Sequence, residues 1–176
     1  PLARWDSGHY REILVSGYRP GTPVSPTAAF LPLYPLIARP VAYWLGPDGA
    51  LVAVSNVAAL IGAFFLYAWS KSYTDPPTGF WCVILATAYP PAMFLSAGYS
   101  DGLFFLEVAM ALWLLQRRRV LLAGCVSGLA TGTRPTGLAL AVVVLAWAWV
   151  HAARRRWPSR LIRLLLLGSV SVSGFL

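Results

Sequence analysis

Long charge-free apolar runs alternate along this chain with short polar breaks, a rhythm whose unit is the membrane-length helix. Residues 51–70 are twenty positions without a charge, and at about 1.5 Å per residue such a helix crosses the roughly 30 Å hydrocarbon core of a bilayer. Residues 79–98 form a second charge-free run, in which Pro90 and Pro91 remove backbone donors and are expected to kink or break the helix near its far end. Residues 102–116 follow, with Glu107 inside them. Residues 120–133 and 137–151 are apolar but individually short, and Arg134 and Pro135 separate them. A charge in mid-bilayer costs at least about 2.5 kcal/mol, so a helical hairpin with Arg134 near its tip is expected rather than one long helix. A last helix is expected over 161–176.

The first fifty residues break this rhythm. Residues 1–26 carry Arg4, Asp6, Arg11, Glu12 and Arg19 among Gly and Pro residues, and such a segment does not cross a bilayer. In residues 30–46, Pro32, Pro35, Arg39 and Pro40 interrupt the apolar positions, so an interfacial or re-entrant piece is expected. There Arg39 would snorkel to the headgroups or touch a lipid phosphate, and residues 31–35 would shape a lipid-facing groove. The expected fold is all-α. It is a polytopic membrane helix bundle made of one transmembrane domain, with residues 1–50 as an outer-face segment of loop and interfacial helices. The sequence opens on Pro1 without Met or a signal peptide and stops inside an apolar run, from which both ends are expected to be cut.

Composition agrees: 58% of the residues are apolar and 11% charged, against roughly 25% charged in an ordinary soluble domain. The net charge of +8 does not point to nucleic acid. Nine of the fourteen basic residues, Lys71, Arg117, Arg118, Arg119, Arg154, Arg155, Arg156, Arg160 and Arg163, flank apolar runs and read as cytoplasmic anchors. Placing Lys71 inside and letting the helices alternate puts every basic cluster inside. The same count brings residues 1–26, the turn at 99–102 and the turn at 133–137 together on the outer face. Cys82 and Cys125 lie in apolar segments and offer neither a disulfide framework nor metal-ligand spacing. No zinc spacing, phosphate loop or Ser-His-Asp arrangement is legible, and no metal or cofactor is expected.

Three outer-face groups could carry chemistry. Arg4, Asp6, His9 and Arg11, beside Trp5 and Tyr10, place a carboxylate, an imidazole and two guanidinium groups close together. They suit a sugar and a phosphate, or equally an interfacial helix with its aromatics in the membrane belt. The turn Tyr99-Ser100-Asp101-Gly102 offers a second carboxylate, or simply a helix N-cap in which Ser100 or Asp101 satisfies free amides. Arg134 needs an anion, either a protein carboxylate such as Asp101 or Glu107 or a substrate phosphate. Glu107 follows Asp101 by about 600° of helical rotation, so the two carboxylates do not form one dyad. An intramembrane ion pair or a protonated carboxyl is its expected state.

Trp5-Asp6-Ser7-Gly8-His9-Tyr10, then Gly17-Tyr18, residues 29–35, Tyr99-Ser100-Asp101-Gly102-Leu103-Phe104-Phe105 and Thr133-Arg134-Pro135-Thr136-Gly137, in this order, resemble the PIG-V type mannosyltransferases of the GT-C class. The resemblance extends from Arg4 to about Leu140. It implies a GT-C-like bundle that transfers a sugar, typically mannose, with inversion. The donor would be a polyprenyl or dolichyl phosphate carrier, and the acceptor a hydroxyl of a glycolipid, glycan or protein on the non-cytoplasmic face. It also implies that Asp6 is the general base, that Arg4, Arg11 or Arg134 stabilises the departing phosphate, and that His9 and Asp101 orient substrates. By the same resemblance the chain sits in a bacterial cytoplasmic membrane, or in the ER membrane of a eukaryote, with the site on the outer or luminal side. Little activity is expected from these residues alone. Two other classes fit the same features: a transporter or flippase of lipid-linked glycans, since broken helices and membrane-depth charges mark transport routes, and a non-catalytic assembly subunit.

Overall fold

The computed structural model describes residues 6–18, 29–151, 168 and 170, and among these the regular elements are helices: α1 Asp6–Ser16, α2 Leu33–Ser70, α3 Pro76–Ala88, α4 Met93–Ser96, α5 Asp101–Gln116, α6 Val120–Thr133 and α7 Gly137–His151. Arg4 and nearly all of the run 161–176 lie outside the described residues.

α2 is two limbs rather than one rod. Gly46 has φ 69° and ψ 168°, a conformation that glycine adopts without strain, and Pro47 follows it. The chain turns there. Limb 33–45, at about 20 Å, is too short to cross a bilayer, whereas limb 47–70, at about 36 Å, is long enough. The Tyr34 hydroxyl donates to the Leu51 carbonyl at 2.8 Å across the bend. Tyr34, Ala38, Ala50 and Leu51 are fully buried, so the first limb folds back onto the start of the second. Tyr43 and Trp44, at the end of the first limb, are more than four-fifths exposed.

α3 begins on a cap. Asp75 accepts from the Thr78 amide at 3.2 Å and the Thr78 hydroxyl at 2.6 Å, and these bonds, the hydroxyl first, hold its carboxyl below the usual value. Tyr89 is extended before Pro90, as a residue preceding proline prefers. A 3-10 turn over Pro90–Ala92 then leads into α4, and the bend between α3 and the stretch 90–96 is 75°.

α5 runs parallel to the second limb of α2: Gly102 meets Ser55, Gly62 meets Phe105, and Phe65 packs on Trp113. Only glycine fits at the first of these crossings, because a Cβ at 102 would lie 2.3 Å from the Ser55 carbonyl oxygen. α6 returns against α5, and α7 reverses again through a turn in which the Gly137 amide bonds to the Arg134 carbonyl at 2.9 Å. Two buried clusters hold the bundle, one around Tyr10, Tyr34, Leu51 and Leu103, the other around Leu114, Leu115, Val126, Leu140 and Val144.

By length and apolarity, one helix among the described residues can cross a membrane, or two if the bent α3–α4 pair counts as a span. α6 and α7, of 14 and 15 residues, fall short of the roughly 20 required. Large apolar side chains are exposed along several helices, including Leu60 and Phe64 of α2, Leu85 of α3, Leu121 of α6 and Val142 and Val150 of α7.

Candidate functional site

Asp6 opens α1, where a carboxylate in the first turn is favoured by the free amides and the helix dipole. It is exposed, whereas Ser7, Tyr10, Ile13 and Leu14 are buried, the i, i+3, i+6, i+7 stripe of one helix face. That stripe seats α1 on the rest of the bundle. Ser7 lies against Gly98, and Tyr10 rests edge-on against both Phe30 and Tyr34, with ring centroids 5.0 and 4.9 Å apart.

The Tyr10 hydroxyl shares a buried hydrogen bond of 2.8 Å with the Ser100 Oγ, ninety residues away in the chain. Burial raises this phenol above its usual pKa against the lowering pull of the Ser100 bond and the Arg134 charge, and the charges of Asp101 and Asp6 push in the same direction as burial. Charges from all three of the ionic groups read from the sequence thus bear on one hydroxyl. Tyr99 ties the segments a second time: its phenol bonds to the Asp6 backbone, and it is raised first by burial and then by the Asp6 carboxylate.

Asp101 accepts from Arg134 Nη1 in an ion pair, the two side chains being 29% and 36% exposed. Of the two kinds of anion considered for Arg134, the structure supplies the protein carboxylate. The pair uses one group of a guanidinium that carries five N–H donors, and a third of the side chain still meets solvent. Immediately below, Thr133 Oγ1 lies 2.8 Å from Glu107 Oε1. The two α5 carboxyls therefore engage neighbouring residues of the hairpin tip and form no dyad.

The remaining candidates point elsewhere. Arg11 pairs with Asp48 at 3.2 Å, both more than half exposed, beside the elbow of α2. His9 stacks on Phe30 with centroids 4.8 Å apart. Arg39 is exposed. Two alternatives from the sequence are corrected. Tyr10 is not a belt aromatic, because it is 5% exposed. Ser100 precedes α5 but its side chain caps no amide, since its hydroxyl goes to Tyr10. Among the described residues no three His, Cys, Asp or Glu side chains gather as a metal site. An apolar groove of about 430 Å³ runs between the first limb of α2 and α6, lined by Pro32, Leu33, Leu36, Cys125, Gly128, Leu129, Gly132 and Val170. It reaches within two residues of Arg134.

Comparison with known proteins gives the site a context. The chain is 31% identical over 150 residues to GPI alpha-1,6-mannosyltransferase 2 of Homo sapiens and 30% identical over 152 residues to that of Cricetulus griseus, in each case covering 78% of this chain. This chain is PIG-V-like. A fungal relative of the PIG-V-like chain, GPI mannosyltransferase 2 of Cryptococcus neoformans, is 27% identical over 160 residues, 84% of this chain. The PIG-V-like chain spans about 29% of the length of the mammalian relatives and 37% of the fungal one. No family model matches it, and no solved structure matches it.

Proposed function

We propose that this chain carries the acceptor-activating and phosphate-binding residues of a membrane mannosyltransferase. In this reading mannose passes from a polyprenyl or dolichyl phosphate to a hydroxyl of a glycolipid acceptor on the non-cytoplasmic face, as in GPI anchor synthesis. One observation carries the reading: α1, which opens on Asp6, is tied by the buried Tyr10–Ser100 hydrogen bond to the residue before Asp101, which itself pairs with Arg134, in a chain similar to proteins named GPI mannosyltransferases.

The chemistry follows from the residue types. An exposed Asp6 carboxylate takes the proton of the acceptor hydroxyl as that oxygen attacks the anomeric carbon. The bond from that carbon to the carrier phosphate breaks, its electron pair leaves on the phosphate oxygen, and configuration inverts. Arg134, aimed by Asp101 and with N–H groups to spare, receives the growing negative charge. Arg4 stays a candidate for the same task. Arg11 pairs with Asp48 through Nε and His9 stacks on Phe30 through its ring face, so each keeps nitrogens with which it can assist.

Lipid as the surrounding solvent suits the exposed apolar residues on α2, α3, α6 and α7, and the exposed Tyr43 and Trp44 suit the headgroup region. In this polytopic arrangement the groove, whose wall includes Gly132 two residues before Arg134 in the chain, would take the apolar chain of the carrier, with its phosphate at the guanidinium.

The test is transfer of labelled mannose from polyprenyl-phosphate-mannose to a glycolipid acceptor by the intact, membrane-inserted protein. Asp6→Asn is expected to lower turnover by about 10²- to 10⁴-fold, and near-normal turnover removes Asp6 as the base. Movement of label across the membrane with no new glycoside would favour the transporter reading instead.

A further inference from the structure

Glu107 is 3% exposed within α5, and the transfer chemistry leaves it without a task. Its Oε1 lies 2.8 Å from Thr133 Oγ1, and its Oε2 has no hydrogen-bond partner. Thr133 Oγ1 also lies 3.1 Å from the Leu129 carbonyl oxygen. A hydroxyl has a single proton to donate, and a carbonyl can only accept. If Glu107 were a carboxylate, Thr133 would face two acceptors with one proton, and a buried charge would rest on at most one hydrogen bond, an arrangement that low dielectric strongly penalises. If Glu107 carries the proton, its O–H donates to Thr133 Oγ1 and the Thr133 hydroxyl donates to Leu129. Each contact then has a donor and an acceptor.

We infer that Glu107 is a neutral carboxylic acid whose bond to Thr133 fixes the hairpin tip and so the pose of the Arg134 guanidinium. Thr133 is the last residue of α6, and Arg134 caps it in an extended conformation with φ −149° and ψ 147°. The hairpin tip that carries the guanidinium is therefore anchored to α5 at the residue before it. α5 grips that tip twice, ionically through Asp101 at its mouth and neutrally through Glu107 beneath. Glu107 is a positioning residue, and its importance for transfer rests on the role proposed for Arg134.

Two measurements on the intact protein in membranes test this. Infrared spectra at neutral pH are expected to contain the C=O band of a protonated carboxylic acid that disappears in Glu107→Gln and shifts in Thr133→Val. Because that band needs no sugar transfer, it stands or falls separately from the proposed enzymatic reading. In transfer assays Glu107→Gln and Thr133→Ser, which preserve a donor and a hydroxyl, should stay within about threefold of the parent. Thr133→Val should raise KM for the lipid-phosphate donor about tenfold while kcat changes less, the size expected for one lost hydrogen bond. Absence of the band, or inactivity of properly inserted Glu107→Gln, overturns the inference.

Discussion

Arg134 meets Asp101 through one of its amino groups and keeps the rest of its fork free. A partly exposed pair of this kind contributes only about 0–1 kcal/mol to stability, so its value lies in where it aims the guanidinium. Arg134→Lys retains the charge and loses the planar fork. It should leave the melting temperature within a few degrees of the parent while donor KM rises about tenfold, the equivalent of about 1.4 kcal/mol, as measured by detergent melts beside transfer assays. Tyr10 has the opposite balance. Tyr10→Phe keeps the packing on Phe30 and Tyr34 but leaves Ser100 Oγ without its buried partner, at a cost of about 1–3 kcal/mol. The pH response has a definite sign. The Tyr10 and Tyr99 phenols are raised in the folded protein, so the stability linked to them is complete below the ordinary tyrosine value of 10.0 and is lost as pH climbs from there through the raised folded values. Melts across that alkaline range should fall more gently for Tyr10→Phe than for the parent.

Punctuation and close approach decide the elements. The 2.3 Å that a Cβ at 102 would leave to the Ser55 carbonyl oxygen means that Gly102→Val must push α5 away from α2 and carry Asp101 with it. A destabilisation of about 1–3 kcal/mol and a loss of donor binding are expected together, the first read by melting and the second by KM; a stable variant with normal KM would show that this crossing does not locate Asp101. Much at this scale was legible in the sequence. Apolar runs bounded by Arg117–Arg119 and by Arg134-Pro135 correspond to α5, α6 and α7, and Pro90-Pro91 breaks the preceding helix where missing donors demand it. The first limb of α2 was harder to read. Pro32, Pro35, Arg39 and Pro40 argue against a full span over 30–46, and that residues 33–45 form a limb folded back on residues 50–51 depends on the burial of Tyr34 and Ala38, a tertiary gain that no local pattern reports. Ser100 misled in the same way: its position before α5 promises a cap, and only the arrival of Tyr10 from the other end of the chain explains its actual bond.

Taken as a whole, the molecule has two chemically different ends. α2 and α5 run in the same direction and finish together, Gln116 hydrogen-bonding Ser72, and Lys71, Arg117 and Arg118 stack there over Tyr67, Trp113 and Trp147. At the other end the Tyr10–Ser100 hydrogen bond joins α1, which opens on Asp6, to the start of α5, where Asp101 pairs with Arg134. Counting helix reversals in the sequence anticipated this division, because basic clusters recur at every second break, but it could not say which residues would touch: contacts such as Tyr10–Ser100 depend on how helices tilt and slide, and periodicity carries no such information. If the protein spans a membrane, the basic end belongs inside and the Tyr10 end outside. This chain holds two cysteines, Cys82 and Cys125, and replacing them, with any elsewhere in the intact protein, by serine gives a silent background. On that background Gly8→Cys and Thr136→Cys, both at exposed positions of the acidic end, should react with an impermeant maleimide added to intact cells, while Arg118→Cys should react only after permeabilisation. Labelling of positions 8 and 136 from opposite sides would separate Asp6 from Arg134 by the bilayer, and no single sugar phosphate could then meet both the base and the guanidinium.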